Sequence, residues 1–440
     1  MIRVLRLIYD VGMLLVVAGI LVPVELLKIA AGRSSWRDLA QRLAFAAPSL
    51  RPDALRVLIH AVSVGEVAAA GALVAAIHER EPAARFVITT GNRRGREAGE
   101  RLRTRVPAIE TVRLLPWDRH RALRRWLAAL APDAVVVVET ELWPNLFRTC
   151  RELDIPLFIV NGRLYPGDVA RYRLARRFFA DVLGGVRWIG TVDTGETEAF
   201  LRIGAPARRI EALGNLKFDS SVVIPELPRA WRDALAERPA APLVLAASTH
   251  PPEERMLLDA LVSLRRRFPA LRFVLAPRRA GRCERLARLA ASRALTTARW
   301  SRPEPAGSGW DVLLIDEFGV LPALVAYADA VFVGGSIAPR GGHNPLEAAA
   351  GGRPIVMGPS ITHFRIAVEE LAAAGALALL PAGRATGDGL EEALARLLAD
   401  RGLRVESGQR GLAYVAARRG VADRYAAAVL SRLGPLPSRS

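Results

Sequence analysis

Short apolar runs of strand length recur along this chain with helix-length segments between them, and that alternation limits the possible folds most. In the first half the runs are Arg56 to Ala61, Arg85 to Thr89, Thr111 to Leu115, Ala134 to Val138, Leu157 to Val160 and Trp188 to Val192. Val67 to Arg80 and Arg119 to Ala131 are among the helical stretches between them. After a proline-rich stretch from Ile224 to Pro242 a second set follows: Leu243 to Ala247, Arg272 to Ala276, Val312 to Ile315, Ala330 to Val333 and Ile355 to Val356. The segment Ser301 to Gly309 reads as a loop. Strands joined through helices pair in parallel, and the helices cover both faces of the sheet. We therefore expect an α/β protein with two Rossmann-like, doubly wound domains facing each other across a cleft. Ligands should bind at the carboxyl ends of the strands. The expected divisions are 1–32 (an N-terminal anchor or interfacial helix), 33–222, 223–415, and 416–440 (a C-terminal helix and tail).

A chain of 440 residues with 51% hydrophobic content has enough apolar surface for two or three cores and is not a disordered protein. The two cysteines, Cys150 and Cys283, match no metal or redox spacing, which fits a reducing compartment. The net charge of +18 calls for an anionic partner. All but two of the 62 basic residues are arginine, however, and together with the alanine content this reflects coding bias as well as function. The arginines are scattered over helical segments, without aromatic interleaving, zinc-finger spacing or a basic helix joined to heptads. That pattern favours a membrane surface or phosphorylated lipid over nucleic acid.

At the N-terminus, Val11 to Val24 is an uncharged apolar run of 14 residues bounded by Asp10 and Glu25. A full span takes about 20 residues, a length reached only by including the flanking acids. No small-residue cleavage pattern follows, so the segment reads as an uncleaved anchor or a helix lying in the interface. Arg3 and Arg6 precede it, while Lys28, Arg33, Arg37 and Arg42 follow, which places the next domain on the cytoplasmic side.

The run Ala330 to Glu347 joins a strand, the pair Gly334-Gly335, a second pair Gly341-Gly342 and a helix start reading through Ala350. Such an order makes an anion and ribose pocket: glycines admit a ligand to the backbone, and free N–H groups at a helix start attract phosphate. Pro345 suits the first turn of that helix, and Glu347 is a carboxylate able to grip two vicinal hydroxyls. Nucleotide-sugar binding is the function this stretch implies; a tight turn with a capped helix is the plainer alternative.

The other unusual residues also gather at strand ends: His60 to Glu66, Glu139-Thr-Glu-Leu-Trp-Pro-Asn145, Gly214-Asn-Leu-Lys-Phe-Asp219, Ala247-Ser-Thr-His-Pro-Pro-Glu-Glu254 and Pro277-Arg278. Glu66 at a strand-to-helix junction is either a general base or a helix-start carboxylate held by the dipole or a capping box. A helix start would hold its pKa low; a partly dry cleft would push it up. Lys217, one of only two lysines, is a compact charge suited to a phosphate or carboxylate. Glu139 and Glu141 alternate across a strand end, so we expect them to point to opposite faces. Trp143 and Pro144 read as packing for the next helix. Ser248 and His250 are candidate cleft residues, or an ordinary capped start led by Pro251, Pro252, Glu253 and Glu254.

Together, Ser63-Val-Gly-Glu66, Glu139-Thr-Glu-Leu-Trp-Pro-Asn145, Asn215-Leu-Lys-Phe-Asp219, Ser248-Thr-His250 and Gly341-Gly-His-Asn-Pro-Leu-Glu347 resemble the Kdo transferases (3-deoxy-D-manno-octulosonic acid transferases of lipopolysaccharide assembly), in the family's order and from about Leu26 to Leu433. The resemblance implies the GT-B glycosyltransferase architecture with an N-terminal membrane anchor. It implies an inverting enzyme at the inner membrane, with CMP-Kdo as donor, a phosphorylated lipid A precursor (lipid IVA) as acceptor, and no metal or cofactor. It also implies Glu66 as proton acceptor, with Glu139 and Lys217 stabilising the transition state. Pro277, Arg278, Phe318, Gly319, Val320, Asn344, Pro345, Leu346 and Glu347 would bind CMP, Arg278 pairing with phosphate and Glu347 with ribose. Ser63, Gly65 and Arg163 join Ser248 and His250 as candidate cleft residues.

The chain departs from the family pattern at Thr89-Thr-Gly-Asn-Arg-Arg-Gly95, Asn161-Gly-Arg-Leu-Tyr165, Gly319-Val-Leu321 and Arg279. Arg93, Arg94 and Arg163 are alternative ligands for acceptor phosphates. These departures leave two further readings open: a GT-B relative with another sugar donor or lipid acceptor, and a non-catalytic membrane-bound paralogue.

Overall fold

The computed structural model describes residues 2–45, 54–220, 227–236, 241–302, 309–317 and 319–433. Phe318, much of the 224–242 stretch and most of the 301–309 loop therefore lie outside the described residues. The chain divides into two compact units, Met1–Ser220 with Gly420–Ser440, and Ser221–Arg419.

The first unit is built on a seven-stranded sheet of β1 (Arg56–His60), β2 (Arg85–Thr90), β3 (Ile109–Leu114), β4 (Ala134–Val138), β5 (Leu157–Gly162), β6 (Trp188–Thr191) and β7 (Ile210–Ala212). Every pairing is parallel, in the order β3-β2-β1-β4-β5-β6-β7. Its central strand, Ala-Val-Val-Val-Val, is buried at all five positions, as a strand covered on both faces must be. One helical layer puts Leu73, Val74 and Ile77 against Val57, Ile59 and Phe86; the other puts Trp126, Leu127 and Leu146 against Leu58, Val135 and Val137.

The second unit repeats the plan with β8 (Leu243–Thr249), β9 (Arg272–Pro277), β10 (Thr297–Arg299), β11 (Val312–Leu314), β12 (Ala330–Val333), β13 (Ile355–Met357) and β14 (Leu377–Leu379). The order is β10-β11-β9-β8-β12-β13-β14, again with every pairing parallel. Strand order reverses between β1 and β4 in one sheet and between β8 and β12 in the other. At such a reversal the connecting helices leave toward opposite faces, and a crevice opens at the carboxyl edge. The three strands absent from the sequence reading, β7, β10 and β14, are three-residue edge strands, too short to show a pattern.

The C-terminal helix Val421–Leu433 packs on the first unit. Tyr425, fully buried, donates its hydroxyl proton to Thr191 O (3.0 Å) and Gly214 O (3.1 Å). Asp219 caps the start of the same helix, accepting from the amides of Gly420 (2.9 Å) and Ala422 (2.6 Å). The helix thus closes over the segment that carries Lys217.

Residues Ile2–Ala30 form one helix of 29 residues, long and apolar enough to cross a membrane, with a π-helical turn at Val17–Leu21. Polar ties fix its first half to the first unit. Arg6 pairs with Asp181 at 2.5 Å, the Tyr9 hydroxyl donates to Asp118 at 2.7 Å, and Arg148 reaches Asp10 at 3.3 Å. Leu5 and Tyr9 pack on the core beneath, while Leu7, Ile8, Leu15 and Leu27 point outward, exposed by 62 to 70%.

Substituting Tyr425→Phe removes the donor to two buried carbonyls. We expect a loss of about 1–2 kcal/mol of stability, read as a lower urea midpoint of the first unit's transition.

Candidate functional site

Some of the residues singled out by the sequence stand at each strand-order reversal. In the first unit Glu66 follows β1 and Glu139 follows β4. Glu66 is the third residue of the helix Val64–Arg80, and it closes a capping box: its amide donates to Ser63 Oγ (3.2 Å) while Ser63 N–H returns to Glu66 Oε1 (3.3 Å). The Val62 amide donates to its other oxygen at 2.8 Å. The carboxyl nevertheless has its pKa raised. Burial is the largest cause and the Glu139 charge the second; they outweigh the amide and Ser63 hydrogen bonds that favour the anion. The capping reading of Glu66 is met, and the carboxyl, 8% exposed, is also of increased basicity. Ser63 and Gly65 are exposed beside it.

Glu139 stands in the left-handed region at φ 62°, and so does Asn161 at the end of β5, at φ 56°. Non-glycine residues take this conformation at a cost that the surrounding structure must hold in place. Here the return is a linked triad. Lys217 Nζ lies 2.6 Å from Glu139 Oε1, Asn161 Nδ2 approaches the same oxygen at 3.4 Å, and Asn161 Oδ1 accepts from the Leu216 amide at 2.8 Å. Lys217 is thus held by the carboxylate beside it and by the backbone that carries it.

The expectation that Glu139 and Glu141 point to opposite faces is not met. The strand stops at Val138, and the positive φ of Glu139 ends the two-residue alternation. Glu141 lies near enough to Glu66 and Glu139 that both charges add to burial in raising its pKa to about 7, against the Trp143 indole N–H that donates to it at 2.9 Å. Trp143 is half-buried against the core as expected, with this hydrogen bond besides, and Pro144 opens the helix Pro144–Glu152. Arg163 lies 3.7 Å from Glu196 and over the Tyr165 ring, and Arg93 pairs with Glu97 at 2.8 Å.

In the second unit the first glycine loop departs from the expected phosphate cradle. Its amides are occupied by the protein's own Glu253. That fully buried carboxylate accepts from Gly335, Ser336, Ile337 and Ala338 at 3.0–3.1 Å and from the His250 amide at 2.9 Å. Gly334 is required there, since a Cβ would stand 2.6 Å from Ser248 O and 2.9 Å from Glu253 Oε2. A second correction concerns Pro345, which is the N-cap of a short helix, Leu346–Ala350, rather than part of its first turn.

Other candidates of this unit stand at or beyond the ends of β9, β11 and β12. Asn344 Oδ1 accepts from the Leu346 amide at 3.1 Å; Pro345 and Leu346 are buried. Glu347 is half-buried, its pKa raised by burial against the Asn344 hydrogen bond. Pro277 ends β9, and Arg278 is exposed with its amide on Thr249 O at 3.0 Å. Gly319 takes φ 89°, and Val320 precedes the helix Leu321–Val325. Ser248 is a third strained residue at φ 56°, and His250 lies 3.0 Å from His343, Nε2 to Nε2.

Sequence reasoning gave no role to Asn161, Glu253, His343 or Tyr425, nor a shared site to Glu141. His250-Pro-Pro-Glu253 carries the spacing of a capping box, which was the available signal for Glu253.

Two parallel doubly wound sheets, each with polar residues at its strand-order reversal, are the plan of the GT-B fold. Solved structures of that fold include UDP-GlcNAc 2-epimerase from Neisseria meningitidis bound to UDP-GlcNAc (TM-score 0.56, 13% identity, 86% of this chain and 99% of that one) and the glycotransferase of kitacinnamycin (TM-score 0.53, 13% identity, 87% and 100%). Residues 37–220 match the family model for 3-deoxy-D-manno-octulosonic-acid transferase (kdotransferase). The 3-deoxy-D-manno-octulosonic acid transferase of Bordetella pertussis is 34% identical over 395 residues, covering 87% of this chain and 89% of the relative. That of Haemophilus influenzae is 29% identical over 411 residues, covering 91% and 92%. The chain belongs to the 3-deoxy-D-manno-octulosonic acid transferase family and is a glycosyltransferase.

The Glu141 carboxyl keeps its proton more tightly in the folded chain than in the unfolded one, where 4.5 is ordinary. Its contribution to stability is therefore full below that value and lost as pH rises through about 7. Glu141→Gln, which can still accept from Trp143, should flatten the fall in urea midpoint between about pH 5 and pH 8.

Proposed function

We propose that this protein transfers Kdo from CMP-Kdo to a phosphorylated lipid A precursor, lipid IVA, with inversion at the anomeric carbon. The observation that carries this reading is the grouping of Glu66, Glu139 and Lys217 at the β1/β4 reversal of the first unit. An acceptor hydroxyl attacking the donor sugar must lose its proton, and a carboxylate made more basic by burial and a neighbouring charge is suited to take it. The oxygens of Glu66 accept one backbone amide each, which leaves lone pairs for that proton. Lys217, restrained by Glu139 and by the Asn161-bound backbone, supplies a preorganised positive charge for the anionic sugar or phosphate.

In this reading the second unit holds the nucleotide. Arg278, exposed at the end of β9, takes the phosphate, and Glu347 the ribose hydroxyls. The nest filled by Glu253 serves to rigidify the loop, so phosphate recognition falls to side chains rather than to the Gly335–Ala338 amides. Pro277, Gly319, Val320 and the Asn344–Glu347 turn complete the CMP site.

The protein works at the cytoplasmic side of the inner membrane. The helix Ile2–Ala30, tied to the first unit by Arg6, Tyr9 and Asp10, turns its apolar face outward and lies in the interface as an in-plane anchor. Replacing Leu7 and Leu15 together by Asp should abolish co-flotation with anionic vesicles while leaving the folded units intact by circular dichroism.

With purified protein, CMP-Kdo and tetra-acylated disaccharide lipid, CMP should be released and a glycolipid formed. Glu66→Gln should slow both by about 10²–10⁴-fold without changing CMP affinity. Release of CMP with no glycolipid would refute the acceptor assignment; unchanged turnover in the variant would refute Glu66 as the base.

A further inference from the structure

The reversal between β8 and β12 in the second unit holds a pair of histidines whose geometry is unusual. The imidazoles of His250 and His343 are parallel to within 5°, with centroids 5.3 Å apart and Nε2 atoms 3.0 Å apart. A nitrogen separation that much shorter than the centroid separation puts both nitrogens on the line between the rings. The contact is therefore an in-plane N–H···N hydrogen bond rather than a stack. One ring donates from Nε2; the other accepts at Nε2 and carries its hydrogen on Nδ1.

Several charges bear on this pair. Arg278, Arg340 and His363 lie on the cationic side. Glu253 and Glu254 oppose them, but the Glu253 oxygens are spent on five amides, and Glu254 is bound by Arg282 at 2.5 Å. Burial and the nearby arginines depress the proton affinity of both rings, His343 to about 4, so the empty pair is neutral at physiological pH. A Cβ on Gly335 would stand 2.9 Å from His343 Cδ2, and the His250 amide is held by Glu253. Two neutral imidazoles beside two arginines form a site that gains most from a ligand carrying negative charge.

We propose that the His250–His343 pair receives the phosphate of the nucleotide and takes up one proton from solvent as it does so. The proton adds to the accepting Nε2. Both rings turn off their common line, the N–H···N bond is replaced by two N–H···O bonds to phosphate oxygens, and one ring becomes an imidazolium. This rests on the reading of the second unit as the CMP-sugar site, and it assigns that site a leaving-group role. Cleaving the sugar–phosphate bond turns a phosphodiester with one negative charge into a monoester that carries two. The added charge develops beside the pair, where an imidazolium stabilises the leaving phosphate more than the bound donor.

The test is calorimetric titration of CMP into the full-length protein at about pH 8, where a nucleotide monophosphate is already a dianion. Repeating it in buffers of different ionisation enthalpy gives the number of protons taken up. We expect uptake approaching one proton for CMP and none for cytidine, with CMP Kd rising up to about tenfold per pH unit above neutrality. His343→Gln and His250→Gln should each abolish the uptake and flatten the pH dependence while cytidine affinity is kept, which also reports that the variant is folded. CMP binding without uptake in the wild-type protein, or uptake that persists in both variants, overturns the proposal and leaves the donor reading standing. Tight binding of UMP in place of CMP overturns the donor reading while leaving the proton count to judge the pair. Failure to bind either nucleotide overturns both.

Discussion

Parallel pairing makes every strand of a sheet finish at the same edge, and the rest of this molecule follows from that constraint. Helix starts collect there with their unpaired amides, and where strand order reverses no connection covers the gap. Ser63 to Glu66 after β1 and Glu139 after β4 meet at one such gap; Ser248 to His250 at the end of β8 and Gly334 to His343 after β12 meet at the other. Residues far apart in sequence become neighbours without any loop having to reach for them.

Charge placed at such an edge must be matched before it can work. The two units solve this differently. In the first, Lys217 pairs with Glu139 directly, while burial and the Glu139 charge raise the proton affinity of Glu66, and burial and the charges of Glu66 and Glu139 raise that of Glu141. In the second, Glu253 is buried outright and answered by backbone dipoles alone, which locks the glycine loop. Three non-glycine residues with positive φ, Glu139, Asn161 and Ser248, stand at these strand ends, where local strain is offset by the contacts it makes possible.

Much of this was legible beforehand. The central strands are apolar runs long enough to show a pattern, and Glu66, Glu139 and Lys217 stood out by type and position. What was hidden depended on partners distant in sequence. The binding of Asn161 to the Leu216 amide, or of Tyr425 to Gly214, is invisible to any local pattern. The glycine loop misled because an anion-binding conformation does not say which anion it binds, and here a side chain 82 residues away from Gly335 supplies it. Glu141 misled because strand alternation was carried one residue past the point where the backbone turns left-handed.

Under the proposed function, the way the N-terminal helix is tied down bears on how a lipid substrate would be met. Ties from Arg6, Tyr9 and Asp10 fall along one side of it, so the helix cannot roll about its own axis without breaking them. If the helix lies on a bilayer as proposed, these ties would hold the first unit at a set azimuth and height above the lipid headgroups, where a freely hinged anchor would let it swing. Under the proposed function, capture of a glycolipid would then be a lateral search in two dimensions, with the Glu66 carboxylate kept at constant depth.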